Sequence, residues 1–215
     1  MTGRKIQHIC FDLDGTLVDS FYTIFNATLK ALKLLNINDP MSEEDFRARI
    51  GHHFIDIFKD LNINVPEFEP FIQVYKEHYF DFIDQSELYK GVEETLSNLK
   101  KKGLLISLLT TKTQGQAEKI IRYFNLHDYF DEVMGRRPGI AVKPNPEPLF
   151  EICKFLGVKA EESLMVGDTE LDIACGKNAG SSTCAVLYGY RTKEILLEQK
   201  ADFNIDSIKE LNSLL

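Results

Sequence analysis

The sequence predicts an α/β protein: a parallel-sheet core with helices on both faces, and a small all-helical cap domain inserted near its start. Short apolar runs of strand length alternate with longer segments of helical periodicity, as in parallel strands joined by crossover helices. The apolar runs are continuous, which is expected where both faces of a strand are covered. One long segment after the first strand contains helical patterns alone.

Six strands are expected, four of them with a strong signal. The strong runs lie at residues 6–11, 104–109, 163–166 and 183–187, and the weaker ones at 132–134 and 202–205. The helices expected between them cover residues 92–102, 114–124, 146–156 and 171–179. The last helix is expected to stop at Gly180, because glycine readily adopts the left-handed backbone found at helix ends.

Residues 17–89 interrupt this alternation. The segment is rich in Phe, Tyr, Leu and Ile at helical spacing. Its turn signals are at Asp39-Pro40, Gly51, Pro66 and Pro70. We therefore expect an inserted helical cap domain, and a discontinuous α/β core built from residues 1–16 and 90–215.

Composition excludes several functional classes. The 215-residue chain is 44% apolar, and its formal charge is −8. An acidic chain lacks the basic face that nucleic acid or an anionic membrane requires, whereas a local cation can still bind a phosphorylated small molecule. No apolar run approaches the roughly 18 residues of a membrane helix, and the N terminus shows no apolar signal core. We expect no nucleic-acid partner and no membrane partner.

The cysteines and histidines show no metal-binding spacing. Cys10, Cys153, Cys175 and Cys184 form no CxxC pair, so we expect reduced, mostly buried thiols in a cytoplasmic protein. The five histidines have neither HxxxH nor HExxH spacing, which argues against a zinc site. Either a monomer or a homodimer is compatible with the sequence.

The first polar constellation follows the first strand, in the string FDLDGTLVDS that begins at Phe11. Asp12 and Asp14 are two residues apart, so on an extended chain their side chains crowd one spot at the carboxyl end of the strand, where open parallel sheets bind ligands. The two carboxylates repel one another unless a cation or a proton is present. Gly15 permits a tight turn, and Thr16 is expected to cap the segment that follows.

A second apolar run also ends in a carboxylate, in the string LMVGDTELD. Asp168 follows the strand directly, and Asp172 lies in the first turn of the next helix. At one sheet edge, Asp12, Asp14 and Asp168 make a site of oxygen ligands, which suits Mg²⁺. Alone, Asp172 is explained equally well by helix capping and by function.

Two weaker signals come from Thr110 and Lys143. The hydroxyl and neighbouring N–H groups of Thr110 could hold a phosphoryl oxygen, although a threonine after a strand is usually a turn or capping residue. Lys143 precedes the rigid turn Pro144-Asn145-Pro146. An exposed lysine is the simpler interpretation, but carboxylates together with a phosphate need a cation besides the metal, and Lys143 fits that role.

Together and in this order, DxDGT, Thr110, Lys143-Pro and GDxxxD resemble the haloacid dehalogenase superfamily, and the resemblance covers the whole chain. The strings FDLDGTLVDS, KPNPEPL, VGDTELDI, NAG and YGYRT are similar to those of its phosphoglycolate-phosphatase-like members. The resemblance implies a Rossmann-like core and a small helical cap that follows the first motif and sets substrate specificity.

The resemblance also implies a mechanism. Asp12 would attack phosphorus and form an aspartyl-phosphate, and Asp14 would protonate the leaving oxygen and later deprotonate water. Mg²⁺ would be held by Asp12, by the backbone carbonyl of Asp14 and by Asp168. Asp14 favours phosphoester chemistry, because dehalogenase and phosphonate-cleaving members of the superfamily lack an acid at its position.

Further roles follow from the same resemblance. Thr110 and Lys143 would bind the transferring phosphoryl oxygens, and Asp172 would orient Lys143 or a metal-bound water. Thr111 stands where the family more often has Asn, and its hydroxyl would bind phosphate similarly. In the cap, the candidate substrate contacts, equally well explained as solvated residues, are Arg47, Gly51 and His52.

The expected function is Mg²⁺-dependent hydrolysis of a small, phosphoglycolate-like phosphomonoester, so the expected partner is a phosphorylated metabolite. One alternative is a phosphomutase of the β-phosphoglucomutase kind, and another is a nucleotidase or pyrophosphatase. A non-enzymatic binding protein is the least favoured alternative, because Asp12, Asp14 and Lys143 are all present.

Overall fold

The computed structural model describes residues 5–38 and 41–215. The chain divides into two units. The first, here called the core unit, consists of Met1–Leu17 and Leu88–Leu215, and the second, here called the helical unit, is Val18–Glu87. These boundaries lie within two residues of those expected from the interrupted strand pattern. The turn expected at Asp39-Pro40 lies outside the described residues.

Within the described part of the chain, the core unit is built on a six-stranded parallel sheet. The strands of the chain are β1 His8–Phe11, β2 Val18–Asp19, β3 Glu87–Leu88, β4 Leu105–Thr113, β5 Glu132–Arg136, β6 Ser163–Gly167, β7 Ser182–Val186 and β8 Phe203–Ile205. The order across the sheet is β5-β4-β1-β6-β7-β8, and β2 pairs separately with β3. All of β1 is buried, as expected for a continuous apolar strand in a covered sheet.

The strands expected from the sequence all form in this sheet, so the prediction of a parallel α/β core is confirmed. The strand expected over residues 104–109 is longer than predicted and continues to Thr113. Its pairing with β5 is irregular between Leu109 and Thr113. β2 and β3 were not predicted, because strands of two residues carry no periodic pattern.

The helical unit forms where apolar residues recur at helical spacing. Its helices are α1 Phe21–Leu34, α2 Glu43–Arg47, α3 Phe54–Asp60 and α4 Phe68–Tyr79, followed by the 3-10 segment Phe80–Gln85. Aromatic rings fill its interior, with the ring centres of Phe54 and Tyr75 4.7 Å apart and those of Phe58 and Phe71 4.8 Å apart, both edge-to-face. The aromatic content of the segment therefore serves the core of this unit.

Helices also flank the parallel sheet of the core unit. They are α5 Val92–Lys101, α6 Gln114–Tyr123, α7 Glu147–Leu156, α8 Glu170–Ala179, α9 Lys193–Glu198 and α10 Leu211–Leu214. The four that were predicted lie within one residue of their expected ends, and Gly180 ends α8 with a φ of +75° as expected. The short α9 and α10 were not predicted.

The helices formed by residues 5–38 and 41–215 are too short or too polar to cross a bilayer. Cys10, Cys153, Cys175 and Cys184 are free and buried, as expected for thiols that pack as small apolar side chains.

Candidate active site

Polar side chains gather at the carboxyl ends of three neighbouring strands. Asp12 follows β1, Asp168 follows β6, and Thr110 lies in the irregular part of β4. Because β1 lies between β4 and β6, these buried residues share one edge of the sheet. This is the edge at which open parallel sheets bind their ligands.

Lys143 connects two carboxylates of this site. Its Nζ lies 2.8 Å from Oδ1 of Asp12 and 2.6 Å from Oδ1 of Asp172, and it donates to the carbonyl oxygen of Leu109 at 3.0 Å. Burial alone would lower the pKa of Lys143, but the two carboxylates outweigh burial and raise it, so the amine stays protonated. The interpretation of Lys143 as an exposed lysine is wrong, because its side chain is 3% exposed.

Asp168 is tightly enclosed. It accepts from the hydroxyl of Thr16 at 3.0 Å and from the N–H of Tyr190 at 2.9 Å. A Cβ at Gly15 would lie 2.2 Å from Oδ2 of Asp168, and a Cβ at Gly189 2.2 Å from its Cβ, so both glycines are needed for this close approach. Burial, and then a neighbouring carboxylate, raise the pKa of Asp168 to about 7. Thr16 thus serves Asp168, and the expectation that it caps the following segment is wrong.

Asp172 joins the start of α8 to Lys143. Its Oδ2 accepts from the N–H of Thr169 at 3.0 Å and from the hydroxyl of Thr169 at 2.6 Å, which completes a capping box. Its Oδ1 faces Lys143. A Cβ at Gly167 would lie 2.2 Å from Cγ of Asp172, so the glycine before Asp168 makes room for this carboxylate. Asp172 therefore caps α8 and holds Lys143 at the same time.

Asp12, Asp168 and Asp172 form the one group of potential metal ligands found among residues 5–38 and 41–215. Each offers an oxygen atom, and these oxygens lie within 4.8 Å of one another. Burial raises the pKa of Asp12 well above its ordinary value; Lys143 partly offsets this rise, and the other two carboxylates add to it. When all four groups are ionised, the three carboxylates and the ammonium group of Lys143 carry a net charge of −2. Hard oxygen ligands with that charge fit Mg²⁺.

The side chain of Asp14 lies outside this group and faces a second lysine, Lys112, which the sequence did not single out. Nζ of Lys112 is 3.2 Å from Oδ2 of Asp14, and the two side chains are 8% and 11% exposed. The irregular end of β4 places them together: Oγ1 of Thr110 accepts from the N–H of Lys112 at 3.3 Å, and Thr111 between them is half-buried. The available signal was the position of Lys112, two residues beyond a candidate phosphate ligand.

The chain is similar to known proteins along nearly all of its length. Residues 9–186 match the family described as haloacid dehalogenase-like hydrolase. The chain belongs to this family. The resemblance inferred from the motifs is therefore confirmed, and this haloacid dehalogenase-like hydrolase has relatives that align along nearly all of it.

Three relatives illustrate the similarity. Pyrophosphatase PpaX of Bacillus cereus (strain AH820) is 35% identical over 212 residues, which cover 98% of this chain and 97% of that protein. The crystal structure of a predicted phosphoglycolate phosphatase from Haemophilus somnus 129pt has a TM-score of 0.88 at 27% identity, with 97% of each chain covered. That of a predicted phosphatase from Clostridium acetobutylicum has a TM-score of 0.85 at 25% identity, again with 97% of each chain covered.

The candidate cap contacts of this haloacid dehalogenase-like hydrolase lie in its helical unit. Arg47 ends α2, and its guanidinium carbon is 3.7 Å from the centre of the Phe21 ring. Gly51 has a φ of +101°, a conformation that favours glycine, and the N–H of His52 donates to the carbonyl of Arg49 at 3.2 Å. These contacts shape the loop after α2, and a contact of its residues with substrate stays a prediction.

Proposed function

We propose that this chain is a Mg²⁺-dependent phosphatase that hydrolyses a small phosphomonoester through an aspartyl-phosphate. The observation that carries the proposal is the buried contact of Lys143 with Asp12 and Asp172, at the sheet edge that also holds Asp168. A carboxylate nucleophile, a fixed ammonium group and a set of oxygen ligands are what attack on an anionic phosphoryl group requires. The relatives named pyrophosphatase and phosphoglycolate phosphatase support phosphoryl chemistry.

The proposal assigns Mg²⁺ to Asp12, Asp168 and the backbone carbonyl of Asp14, and Asp172 lies close to the first two. When bound, the ion neutralises the crowded carboxylates and draws charge from the phosphoryl oxygens. The donor set supports magnesium over zinc, because the group of ligands consists of carboxylates, without the nitrogen and sulfur atoms that zinc prefers.

The residues of the chain would divide the reaction into two displacements. In the first, an oxygen of Asp12 bonds to phosphorus, the bond between phosphorus and the leaving oxygen breaks, and Asp14 gives its proton to that oxygen. In the second, Asp14 takes a proton from water as the water oxygen bonds to phosphorus, and the bond between Asp12 and phosphorus breaks. Phosphate leaves, and both carboxyl groups return to their starting states.

Lys143, Thr110 and Thr111 would bind the phosphoryl oxygens. The ammonium group of Lys143 is fixed by Asp172 and by the carbonyl of Leu109, so it needs little reorganisation when charge develops on the phosphoryl group. Asp172 acts through Lys143 and is a positioning residue. Its loss would free the lysine without removing any group that touches substrate.

The helical unit is proposed to select the substrate, through residues at the end of α2 and in the loop that follows it. The candidates are Arg47, Gly51 and His52. Two substrate types are favoured by relatives: pyrophosphate by the protein that is 35% identical, and a phosphomonoester such as phosphoglycolate by the structure that is 27% identical. A phosphomutase would use the same core residues and differs in its product.

Phosphate release from a substrate panel tests the proposal. The panel contains phosphoglycolate, sugar phosphates, nucleotides and pyrophosphate, each with Mg²⁺ and with EDTA. We expect release from at least one compound with Mg²⁺, none with EDTA, and none from Asp12→Asn. Isomerisation of a sugar phosphate without phosphate release would assign a phosphomutase instead, and a folded protein that releases no phosphate from any compound would contradict the proposal.

A further inference from the structure

The site contains a second buried ammonium group, that of Lys112, which lies beside Asp14, the candidate acid. Its Nζ lies 3.2 Å from Oδ2 of Asp14, and its side chain is 8% exposed. Lys143, the other buried lysine of the site, is held by Asp12 and Asp172. The two ammonium groups thus stand beside different carboxylates: Lys143 at the nucleophile, and Lys112 at the acid.

We propose that Lys112 binds negative charge on the leaving group, and that the enzyme therefore prefers substrates whose leaving group is itself an anion close to the bridging oxygen. This inference rests on the proposed phosphatase function and deepens it, because it names the substrate class. Two kinds of compound belong to that class: phosphoanhydrides such as pyrophosphate, and phosphomonoesters with a carboxylate one carbon from the bridging oxygen.

To deliver its proton, Asp14 must come within hydrogen-bond distance of the bridging oxygen, roughly 2.6–3.2 Å. The ammonium group of Lys112 lies 3.2 Å from that carboxylate, so it is near the leaving side of the scissile bond. Lys143 instead contacts Asp12, the proposed nucleophile. Lys112 therefore lies closer to the leaving group than to the transferring phosphoryl group.

When the bond between phosphorus and the bridging oxygen breaks, the electron pair stays on that oxygen and the proton of Asp14 neutralises it. A negative charge elsewhere on the leaving group remains. A largely buried ammonium group attracts such a charge more strongly than a surface lysine does, because less water screens the pair. A neutral leaving group offers Lys112 nothing comparable.

A matched pair of substrates tests the proposal. 2-Phosphoglycolate and 2-hydroxyethyl phosphate have leaving groups of the same length, but only the first has a carboxylate; pyrophosphate is the third compound. The measured quantity is the ratio of kcat/KM for each anionic compound to kcat/KM for 2-hydroxyethyl phosphate. An effect of Lys112 on the proton transfer from Asp14 acts on both members of the pair and cancels in the ratio.

Three variants complete the test. Lys112→Met keeps the length of the side chain without its charge, Lys112→Arg keeps the charge, and Lys101→Met removes an exposed lysine of α5 as the matched control. We expect Lys112→Met to lower the ratio roughly 10- to 100-fold, the size of one hydrogen bond to a charged group. Lys112→Arg should restore most of the ratio, and Lys101→Met should leave it unchanged.

The outcomes separate this inference from the function on which it rests. Wild-type protein that releases phosphate from none of the compounds would contradict the phosphatase proposal. Wild-type protein that hydrolyses the two esters equally well, or a Lys112→Met protein that loses activity on both by the same factor, would overturn the leaving-group role and leave the phosphatase proposal intact. A thermal melt of each variant shows whether it is folded. If Lys112→Met is unfolded, the kcat/KM ratios of the wild type and of Lys112→Arg test the proposal.

Discussion

Asp12 and Lys143 form a buried ion pair, but replacing the carboxylate and replacing the amine should have opposite effects on the free energy of unfolding. Asp12→Asn should reduce turnover at least about 1000-fold, because an amide is a poor nucleophile. Its free energy of unfolding without metal should be unchanged or higher, since the change relieves repulsion between Asp12 and two neighbouring carboxylates while Lys143 keeps Asp172 as a partner. Phosphate-release assays and urea titration in EDTA measure both effects. Retention of wild-type rates would remove Asp12 from its proposed role.

Lys143→Met should also stop turnover, but it should destabilise the protein. The change leaves three buried carboxylates without their ammonium group, and removal of one partner from a buried ion pair typically costs about 3 kcal/mol or more. Urea titration in EDTA measures the loss. The double variant Asp12→Asn/Lys143→Met serves as the control. If the effects of the two substitutions are coupled, the double variant should be more stable than Lys143→Met alone.

His8 gives the protein a predictable pH dependence far from the active site. Its ring nitrogens contact the hydroxyls of Ser163 at 2.9 Å and Ser107 at 2.7 Å at the start of the sheet. Burial lowers the pKa of His8 to about 4, and the charge of Asp131 offsets part of this shift. In the unfolded chain His8 is protonated below about pH 6.5, whereas in the folded chain it is protonated only below about pH 4. The contribution of His8 to stability is therefore complete above pH 6.5 and is lost as the pH falls towards 4.

The size of this effect sets the experiment. Between pH 7 and pH 5, the His8 shift should remove about 2 kcal/mol from the free energy of unfolding. His8→Gln removes the titrating ring. Between pH 7 and pH 5, the unfolding free energy of this variant should therefore fall by about 2 kcal/mol less than that of the wild type. Urea titrations of both proteins at pH 7, 6 and 5 give the difference. Parallel curves for the two proteins would show that His8 does not titrate as its burial implies.

At the residue level, the sequence predicted the carboxylates better than their partners. Asp12 and Asp168 each follow an apolar run that ends at the same sheet edge, so strand patterns alone place them together. The contact between Lys112 and Asp14 joins residues far apart in the chain and depends on the irregular end of β4. No periodicity encodes an irregularity of that kind, so this contact could not be predicted.

At the scale of elements, the segment after β7 holds the candidate metal ligand in place. The hydroxyl of Tyr188 donates to the carbonyl of Thr16 at 2.9 Å, and the N–H of Tyr190 donates to Asp168 at 2.9 Å. Arg191, 3% exposed, pairs with Glu170 at 2.7 Å. These contacts join the segment to the loop after β1 and to the loop after β6. The string YGYRT was noted in the sequence for its resemblance alone, and the structure supplies its physical reason.

Gly189→Ala tests this segment. The added Cβ would lie 2.2 Å from Cβ of Asp168, so the loop or the carboxylate must shift. We expect the affinity for Mg²⁺, measured by titration calorimetry, to fall about 10-fold or more. Gly115→Ala in α6 is the matched control, because nothing lies within 4 Å of its added Cβ, and it should bind Mg²⁺ like the wild type. Equal affinities for the two variants would show that the segment does not position Asp168.

At the scale of the whole molecule, the candidate chemistry is assembled by the discontinuous core unit. Asp12 and Asp14 precede the inserted helical unit, whereas Lys112, Lys143 and Asp168 follow it. The sequence could predict this arrangement because strand patterns stop after the first motif and resume past residue 90. It could not predict the substrate, since helical periodicity reports how the aromatic residues of the inserted unit fill a core and not which side chains meet a ligand.

The uncompensated charge of the site predicts that Mg²⁺ stabilises the folded core unit. A ligand at 100 times its dissociation constant adds about 2.7 kcal/mol, which corresponds to roughly 5–10 °C in the melting temperature of a chain of this size. Thermal melts with Mg²⁺ and with EDTA measure the shift. Asp168→Asn should abolish it, whereas Asp206→Asn, at a carboxylate that is 76% exposed, should preserve it. An equal shift in both variants would mean that Mg²⁺ binds elsewhere, and the metal assignment to Asp12 and Asp168 would fail.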